Sequence, residues 1–261
     1  VIIQQDFGME AARLHARLPA HRRAADRAAA RVREAMSSAA GTWAVSCSGG
    51  KDSVTLLDVA HEAGWRGPVF HFAYDDDYDG EPTANARAAA ERYGLELDVV
   101  KVVGEFAAFD RVGHFFPSPS TAEERAAVRW WETTYRKQIN AHMEDRGWSG
   151  VFAGFRKDES RVRRMMLNRK GHLYAAVGRP GLTCCPILDW SGRDVWARIA
   201  ARGLPYLSRY DDTSDRVRER SDDVWLSVDI WRFGMGCDIR RRNPALWLAL
   251  LERYPALSLE D

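Results

Sequence analysis

Short, unbroken apolar runs alternate along this chain with longer stretches in which apolar positions recur every three or four residues. The first kind reads as strands buried on both faces, the second as helices that cover them. Thr42 to Cys47 is the first run, Val69 to Tyr74 the second, Leu95 to Val102 the third and Val151 to Ala153 the fourth. His172 to Val177 reads as a further short strand or hairpin arm. Helical spacing fills the gaps: from Val54 to Ala60, from about Pro82 to Tyr93, from Thr121 to about Arg146, and after Ser191, where Val195, Trp196 and Ile199 share a face. Strand and helix in alternation predict an α/β fold, a parallel twisted sheet with helices on both faces and right-handed crossovers.

The flanks are different. Residues from about Met9 to Met36 are rich in Ala and Arg, both good helix formers, with Pro19 separating two helices. Arg23, Arg27 and Arg31 share one helix face, which reads as solvated. Phe106 to Ser120 has no clear period, and within it Gly113 to Pro119 is apolar and punctuated by proline, so that stretch reads as a loop able to act as a lid. Thr121 with Glu124 makes a capping box for the helix that follows, and Trp130, Trp131 and Tyr135 on that helix read as core packing. Tyr206 to Ser227 is polar and charged and reads as a mobile connection, and Pro244 to Tyr254 as a closing amphipathic helix. The expected organisation is a helical segment over 1–40, a nucleotide-binding domain over 41–207 and a C-terminal region over 208–261, with no internal repeat.

Composition narrows the setting. The 261 residues are 46% hydrophobic, enough for a sizeable core, and the net charge of +1 implies no partner by itself. Cys47, Cys184, Cys185 and Cys237 do not form the framework of a secreted domain. With no signal peptide or spanning run in view, the expectation is a cytoplasmic protein with reduced thiols and no membrane partner.

The chemistry begins at Ser46-Cys47-Ser48-Gly49-Gly50-Lys51-Asp52-Ser53, between the first strand and its helix. A strand, a glycine-rich turn and a helix make an anion site, because the first helical N–H groups have no partner within the helix and point at whatever sits there. Gly49 and Gly50 allow close approach of backbone to ligand. Ser48 and Ser53 add hydroxyls, Lys51 a positive charge, and Asp52 a carboxylate that could hold magnesium. This is not the Walker A pattern, which needs a glycine four residues before the Gly-Lys-Ser/Thr, where Val45 stands. A second constellation follows the fourth strand: Gly154, then Arg156, Lys157, Arg161, Arg163 and Arg164, five cations in nine residues, with Glu159 and Ser160 placed to hold them. Arginine forks suit phosphate or sulfate oxygens. A third, Cys185-Pro186-Ile187-Leu188-Asp189-Trp190-Ser191-Gly192-Arg193-Asp194-Val195-Trp196, reads as strand end, turn and helix start, with Ser191 as N-cap and Asp194 suiting the helix dipole.

Ser-Gly-Gly-Lys-Asp-Ser resembles the PP-loop of the ATP pyrophosphatases. Together with Gly-x-Arg-x-x-Glu-Ser-x-x-x-Arg (Gly154 to Arg164) and Pro-Ile-x-x-Trp-x-x-x-Asp-Val-Trp (Pro186 to Trp196), it resembles the phosphoadenosine phosphosulfate reductase family. That family includes sulfonucleotide reductases, ATP sulfurylase small subunits and the ATP pyrophosphatases of DNA phosphorothioation. The likeness covers about Thr42 to Leu207 and implies an adenine nucleotide alpha-hydrolase-like fold. Departures sort the branches. The Glu-Cys-Gly-Leu-His motif of sulfonucleotide reductases is absent, since the chain ends Leu-Ser-Leu-Glu-Asp. Cys184-Cys185 lies after the arginine motif, not where adenylylsulfate reductases carry their cluster cysteines, so no iron–sulfur cluster is expected. Arg232-Phe233-Gly234-Met235-Gly236-Cys237 resembles a segment near the end of the phosphorothioation enzymes, and Arg240-Arg241-Arg242 adjoins it.

The resemblance implies ATP with its phosphates on Ser48 to Ser53, adenine near Ala73 and Tyr74, and magnesium near Asp52. Ser46, Gly154, Arg161 and Arg164 complete the expected ATP-binding set, and Lys51, Asp52 and Arg156 the catalytic one. Adenylation of an acceptor, with pyrophosphate leaving, would precede sulfur transfer from a cysteine-desulfurase persulfide. The preferred acceptor is DNA backbone phosphate, within a set of DNA-modification subunits. Cys237 is a candidate sulfur relay or, equally, a buried structural thiol. Two other readings stay open at this level: a sulfonucleotide reductase or related transferase, and a nucleotide-binding subunit that gates a partner complex without turnover.

Overall fold

The structure, a computed structural model, describes residues 8–75, 80–104, 106–116, 119–176, 178–211, 240 and 244–255. Six strands form one sheet: β1 (Trp43–Ser46), β2 (Val69–Tyr74), β3 (Leu97–Val102), β4 (Gly150–Phe152), β5 (Leu173–Ala175) and β6 (Leu182–Cys184). Their order is β3-β2-β1-β4-β6-β5. β1 pairs in parallel with β2 (Val45 opposite Val69) and with β4 (Ala44 opposite Val151), β4 pairs in parallel with β6, and β5 runs antiparallel to β6 on the edge. The expected parallel α/β sheet is therefore present, with one antiparallel edge strand formed from the predicted hairpin arm. Trp43, Ala44 and Val45 of β1 are all buried, as an unbroken apolar run at the centre of a covered sheet must be.

The helices are α1 (Met9–His15), α2 (Pro19–Ser38), α3 (Lys51–Glu62), α4 (Glu81–Glu91), α5 (Phe106–Val112), α6 (Ala122–Asp145), α7 (Arg161–Lys170), α8 (Gly192–Arg202) and α9 (Pro244–Arg253), with a short 3-10 turn at Ser208–Tyr210. Pro19 sits in the first turn of α2, where its missing N–H costs nothing. Ala24, Ala28, Val32 and Ala35 bury one face of α2. The arginine face is only partly solvated: Arg23 and Arg27 are exposed, while Arg31 donates to the Pro186 carbonyl at 3.0 Å and pairs with Asp189 at 2.5 Å.

The chain divides into two compact units, residues 1–72, 80–100 and 140–222, and residues 73–79, 101–139 and 223–261. The first holds the main core, in which Val54, Leu56, Leu57 and Val59 of α3 pack with Val195 and Ile199 of α8. The second has its own aromatic cluster of Phe106, Phe109, Phe115, Phe116, Trp247 and Tyr254. There the described residues of the segment Gly113 to Pro119 carry no helix or strand, in keeping with a loop, and a helix that was not expected precedes them. Phe106, Ala108 and Phe109 are buried on a helix, α5, and Phe115 and Phe116 fill the same cluster rather than an open lid. The capping box is as read: Thr121 Oγ1 accepts from the Glu124 N–H at 3.1 Å, and the Glu124 carboxylate accepts from the Thr121 N–H at 2.8 Å.

Candidate functional site

β1 lies where the strand order reverses, with β2 on one side and β4 on the other. Open α/β sheets present their ligand crevice at the carboxyl ends of the strands flanking such a point. Two sequence-predicted constellations start there, the glycine loop after β1 and the Gly154–Arg156 turn after β4.

The loop is held open by its neighbours. Gly49 has φ +80°, and a Cβ on it would lie 2.1 Å from the Pro82 carbonyl oxygen. No side chain fits, so the backbone of the loop meets the start of α4 directly. The Asn85 amide on α4 donates to the Gly49 carbonyl at 2.5 Å. His71 of β2 donates through Nδ1 to the Cys47 carbonyl at 2.8 Å, and its Nε2 accepts from the Thr83 hydroxyl at 3.0 Å. Burial holds the His71 imidazolium pKa below its ordinary value, so the ring works as this neutral tautomer. The loop's carbonyls at 47 and 49 are thus tied back. Its N–H groups at the head of α3 are left to face outward.

Ser53 Oγ donates to the Gly50 carbonyl at 2.9 Å and accepts from Ser48 Oγ at 3.2 Å, across the loop's mouth. Ser46 ends β1. Lys51 is the first residue of α3 and is 1% exposed, with Nζ 3.0 Å from Asp52 Oδ2 and 5.5 Å from the centroid of the Tyr210 ring, within cation–π range. Arg156 is fully buried, with Nε 2.6 Å from Asp52 Oδ1 and Nη1 3.4 Å from the Trp190 carbonyl oxygen, to which it donates. Gly154 brings the two segments together: a Cβ there would lie 3.1 Å from the Asp52 carbonyl. Burial alone would raise the Asp52 carboxyl pKa, but Lys51 and Arg156 outweigh it and hold it below the ordinary value.

Lys51, Asp52 and Arg156 therefore form one buried chain of alternating charge at the foot of a helix N-terminus. Its net charge of +1, added to the helix dipole, suits a polyphosphate. Asp52 Oδ2 faces Lys51 Nζ, while Oδ1 is buried without a well-formed hydrogen bond although Arg156 Nε is 2.6 Å away, so the carboxylate keeps lone pairs with which it could hold magnesium.

The other expected site residues have contacts of their own. Arg161 and Arg164 are exposed on α7, whose N-cap Ser160 accepts from the Arg163 N–H. Neither joins the Lys51–Asp52–Arg156 pairs. Arg163 pairs with Glu159 at 3.0 Å and stacks 3.8 Å over Phe155. Ala73 and Tyr74 end β2, and Tyr74 stacks on Tyr135 at 5.6 Å. Cys184 ends β6 and Cys185 follows it; they sit in different core clusters, Cys184 in the main core and Cys185 beside Leu167 and Leu188. Burial raises the pKa of all three described thiols, Cys47 to about 11 and Cys185 to about 12. Cys237 lies outside the described residues, as does most of the connection read from Tyr206 to Ser227. The sequence reading missed His71, Thr83, Asn85 and Tyr210. A histidine inside an otherwise apolar strand was the one available signal.

A model of the phosphoadenosine phosphosulfate reductase domain matches residues 42–217. Two solved structures share the fold. The U34-tRNA thiolase NcsA from Methanococcus maripaludis, with its 4Fe-4S cluster, is 14% identical with a TM-score of 0.50, over 90% of this chain and 80% of that one. The phosphoadenylyl-sulfate reductase from Candida auris, in a phosphate complex, is 15% identical with a TM-score of 0.51, over 76% of this chain and 90% of that one. No curated protein sequence matches.

Proposed function

We propose, on the premise that this chain belongs to the phosphoadenosine phosphosulfate reductase domain family, that it splits ATP between the α- and β-phosphates to activate an acceptor for sulfur incorporation. The observation that carries this reading is the buried Lys51–Asp52–Arg156 chain beneath the N–H groups that open α3. The loop N–H groups and Lys51 bind the phosphates. An acceptor oxygen attacks the α-phosphorus, the bond to the bridging oxygen breaks, and pyrophosphate carries away the electron pair. Lys51 and Arg156 stand fixed before charge develops, so no reorganisation is needed when it does. Asp52 positions both cations. Magnesium would travel with the ATP phosphates, and no protein step runs through it.

The outer sulfur of a persulfide then attacks the phosphorus and AMP leaves; a thiol cleaves the remaining S–S bond, freeing the phosphorothioate and ending as a disulfide with the carrier cysteine. The favoured donor is a cysteine-desulfurase persulfide and the favoured acceptor a DNA backbone phosphate, within a DNA-modification complex. Family resemblance supports that choice, and a neighbour named as a tRNA thiolase is in keeping with sulfur chemistry on nucleic acid. Arg161 and Arg164, exposed on α7, are available to an acceptor or to the nucleotide, and Cys237 to a sulfur relay.

The test is product analysis of Mg-ATP turnover with and without DNA. AMP and pyrophosphate are expected, in greater yield with DNA. ADP and phosphate would sink the mechanism. Sulfite released from a sulfonucleotide in the presence of a thiol reductant would move the assignment to a reductase.

A further inference from the structure

Away from the glycine loop, three side chains from three helices converge. His15 is the last residue of α1, His21 lies in the first turn of α2, and Asp194 is in the first turn of α8. His15 Nε2 and His21 Nδ1 are each 3.0 Å from Asp194 Oδ1, and the three atoms lie within 4.8 Å of one another. The other carboxylate oxygen, Oδ2, is occupied separately. It accepts from the Ser191 N–H at 3.0 Å and the Ser191 hydroxyl at 2.7 Å, completing the cap of α8. Capping therefore fixes the carboxylate and leaves Oδ1 directed at the two imidazoles. His21 is 5% exposed and packs edge-on to Trp190, ring centroids 5.5 Å apart.

We propose that His15, His21 and Asp194 form a binding site for a borderline divalent transition metal of the zinc class. Two imidazole nitrogens and one carboxylate oxygen are the donors such ions prefer, and magnesium or calcium would take oxygen instead. Three protein ligands leave a fourth position for water. Tetrahedral ligands at 2.0–2.2 Å from an ion stand about 3.3 Å apart, so the two nitrogen–oxygen separations of 3.0 Å need open by only a few tenths of an ångström, and the two nitrogens, within 4.8 Å of each other, need settle to a similar spacing. The cap on Oδ2 is the outer partner that orients a ligating carboxylate.

The site would clamp α1 and α2 to the start of α8. Trp190 makes that clamp relevant to the nucleotide loop. Its ring touches His21, its indole N–H donates to the Ala24 carbonyl at 3.3 Å, and its own carbonyl accepts from Arg156. A metal held here steadies the residue that anchors Arg156.

The experiment is cobalt titration of the full chain, stripped with chelator and carrying no polyhistidine tag. One equivalent should bind with visible d–d absorption and no sulfur-to-cobalt charge-transfer band. His15→Ala, at a partly exposed helix end, should bind at least about 100-fold more weakly, and Asp194→Asn, which keeps the cap's shape, should lose the site as well. Zinc should raise the melting temperature of the wild-type chain and of neither variant. A chain that takes up no cobalt, or takes it up equally in both variants, overturns the proposal. So does a charge-transfer band, which would assign the metal to cysteine.

Discussion

Two carboxylates on the same helix, six residues apart, make an instructive pair. Asp52, in the first turn of α3, is clasped by Lys51 and Arg156. Asp58, farther along, accepts from the Tyr93 hydroxyl and from Arg198 Nε, with Arg202 Nε at 3.3 Å. Both are acids between cations. The surroundings differ. The Asp58 side chain is fully buried, and its partners belong to α8 and the end of α4, so the group ties α3 to its neighbours. Asp52 keeps 15% of its side chain exposed and sits under a turn whose N–H groups have no helical partner. A buried ion pair is weak evidence for function by itself. What separates these two is a helix N-terminus, with N–H groups that lack a partner within the helix, beside one and not the other.

The largest expected effect on stability falls on the structural member. Asp58→Asn leaves the buried Arg198 with half-exposed Glu62 as its counter-charge and should cost about 3 kcal/mol of unfolding free energy, the low end for a broken buried pair, read by urea denaturation. ATP turnover should fall only in proportion to the folded fraction. If stability held and turnover collapsed, Asp58 would belong with the site and the contrast would fail.

The next effect falls on the loop. Lys51→Ala should cut α–β cleavage of ATP by about 10²–10³-fold, about 2.7–4 kcal/mol of barrier, the loss typical of one preorganised charge-stabilising donor. Its urea midpoint should stay near that of the wild type, because Asp52 keeps Arg156. A midpoint shift as large as that of Asp58→Asn would make Lys51 a structural cation and remove the main support for the proposed chemistry.

This contrast also marks what the sequence could and could not disclose. β1, the glycine loop and α3 were legible because their signals are local: an apolar run, two glycines, then apolar positions at helical spacing. The pairing of Arg156 with Asp52 was not, since it spans about a hundred residues and depends on β4 lying beside β1. Helix α7 went unread because Leu167 is its one fully buried residue, which leaves almost no apolar periodicity to detect. Helix α5 was hidden by the Phe-Phe-Pro run that follows it, although Phe106 and Phe109 already stood at helical spacing. His71 and Asn85 hold the loop's carbonyls through tertiary contacts, and no spacing in the chain encodes those.

The smallest effect probes the Asp58 group alone. Tyr93 is half-buried, and burial, reinforced by its hydrogen bond to the Asp58 carboxylate, raises its phenol to about 12 from an ordinary value of 10.0. A raised folded pKa means the native state holds its proton where the unfolded chain has lost it. The contribution is complete below pH about 10, declines as pH rises through about 10 to about 12, and is gone above that. Tyr93→Phe removes the hydrogen bond and should cost about 1–1.5 kcal/mol at neutral pH, modest because the hydroxyl is partly solvated. The alkaline decline of the urea midpoint from about pH 9 to 11 should be shallower in the variant than in the wild type, the raised thiols of Cys47 and Cys185 supplying what remains of it. ATP cleavage at neutral pH should be unchanged in Tyr93→Phe, because nothing in the Asp58 group touches the loop's phosphate donors. Turnover that tracked Tyr93 ionisation would join the two carboxylate groups into a single functional network.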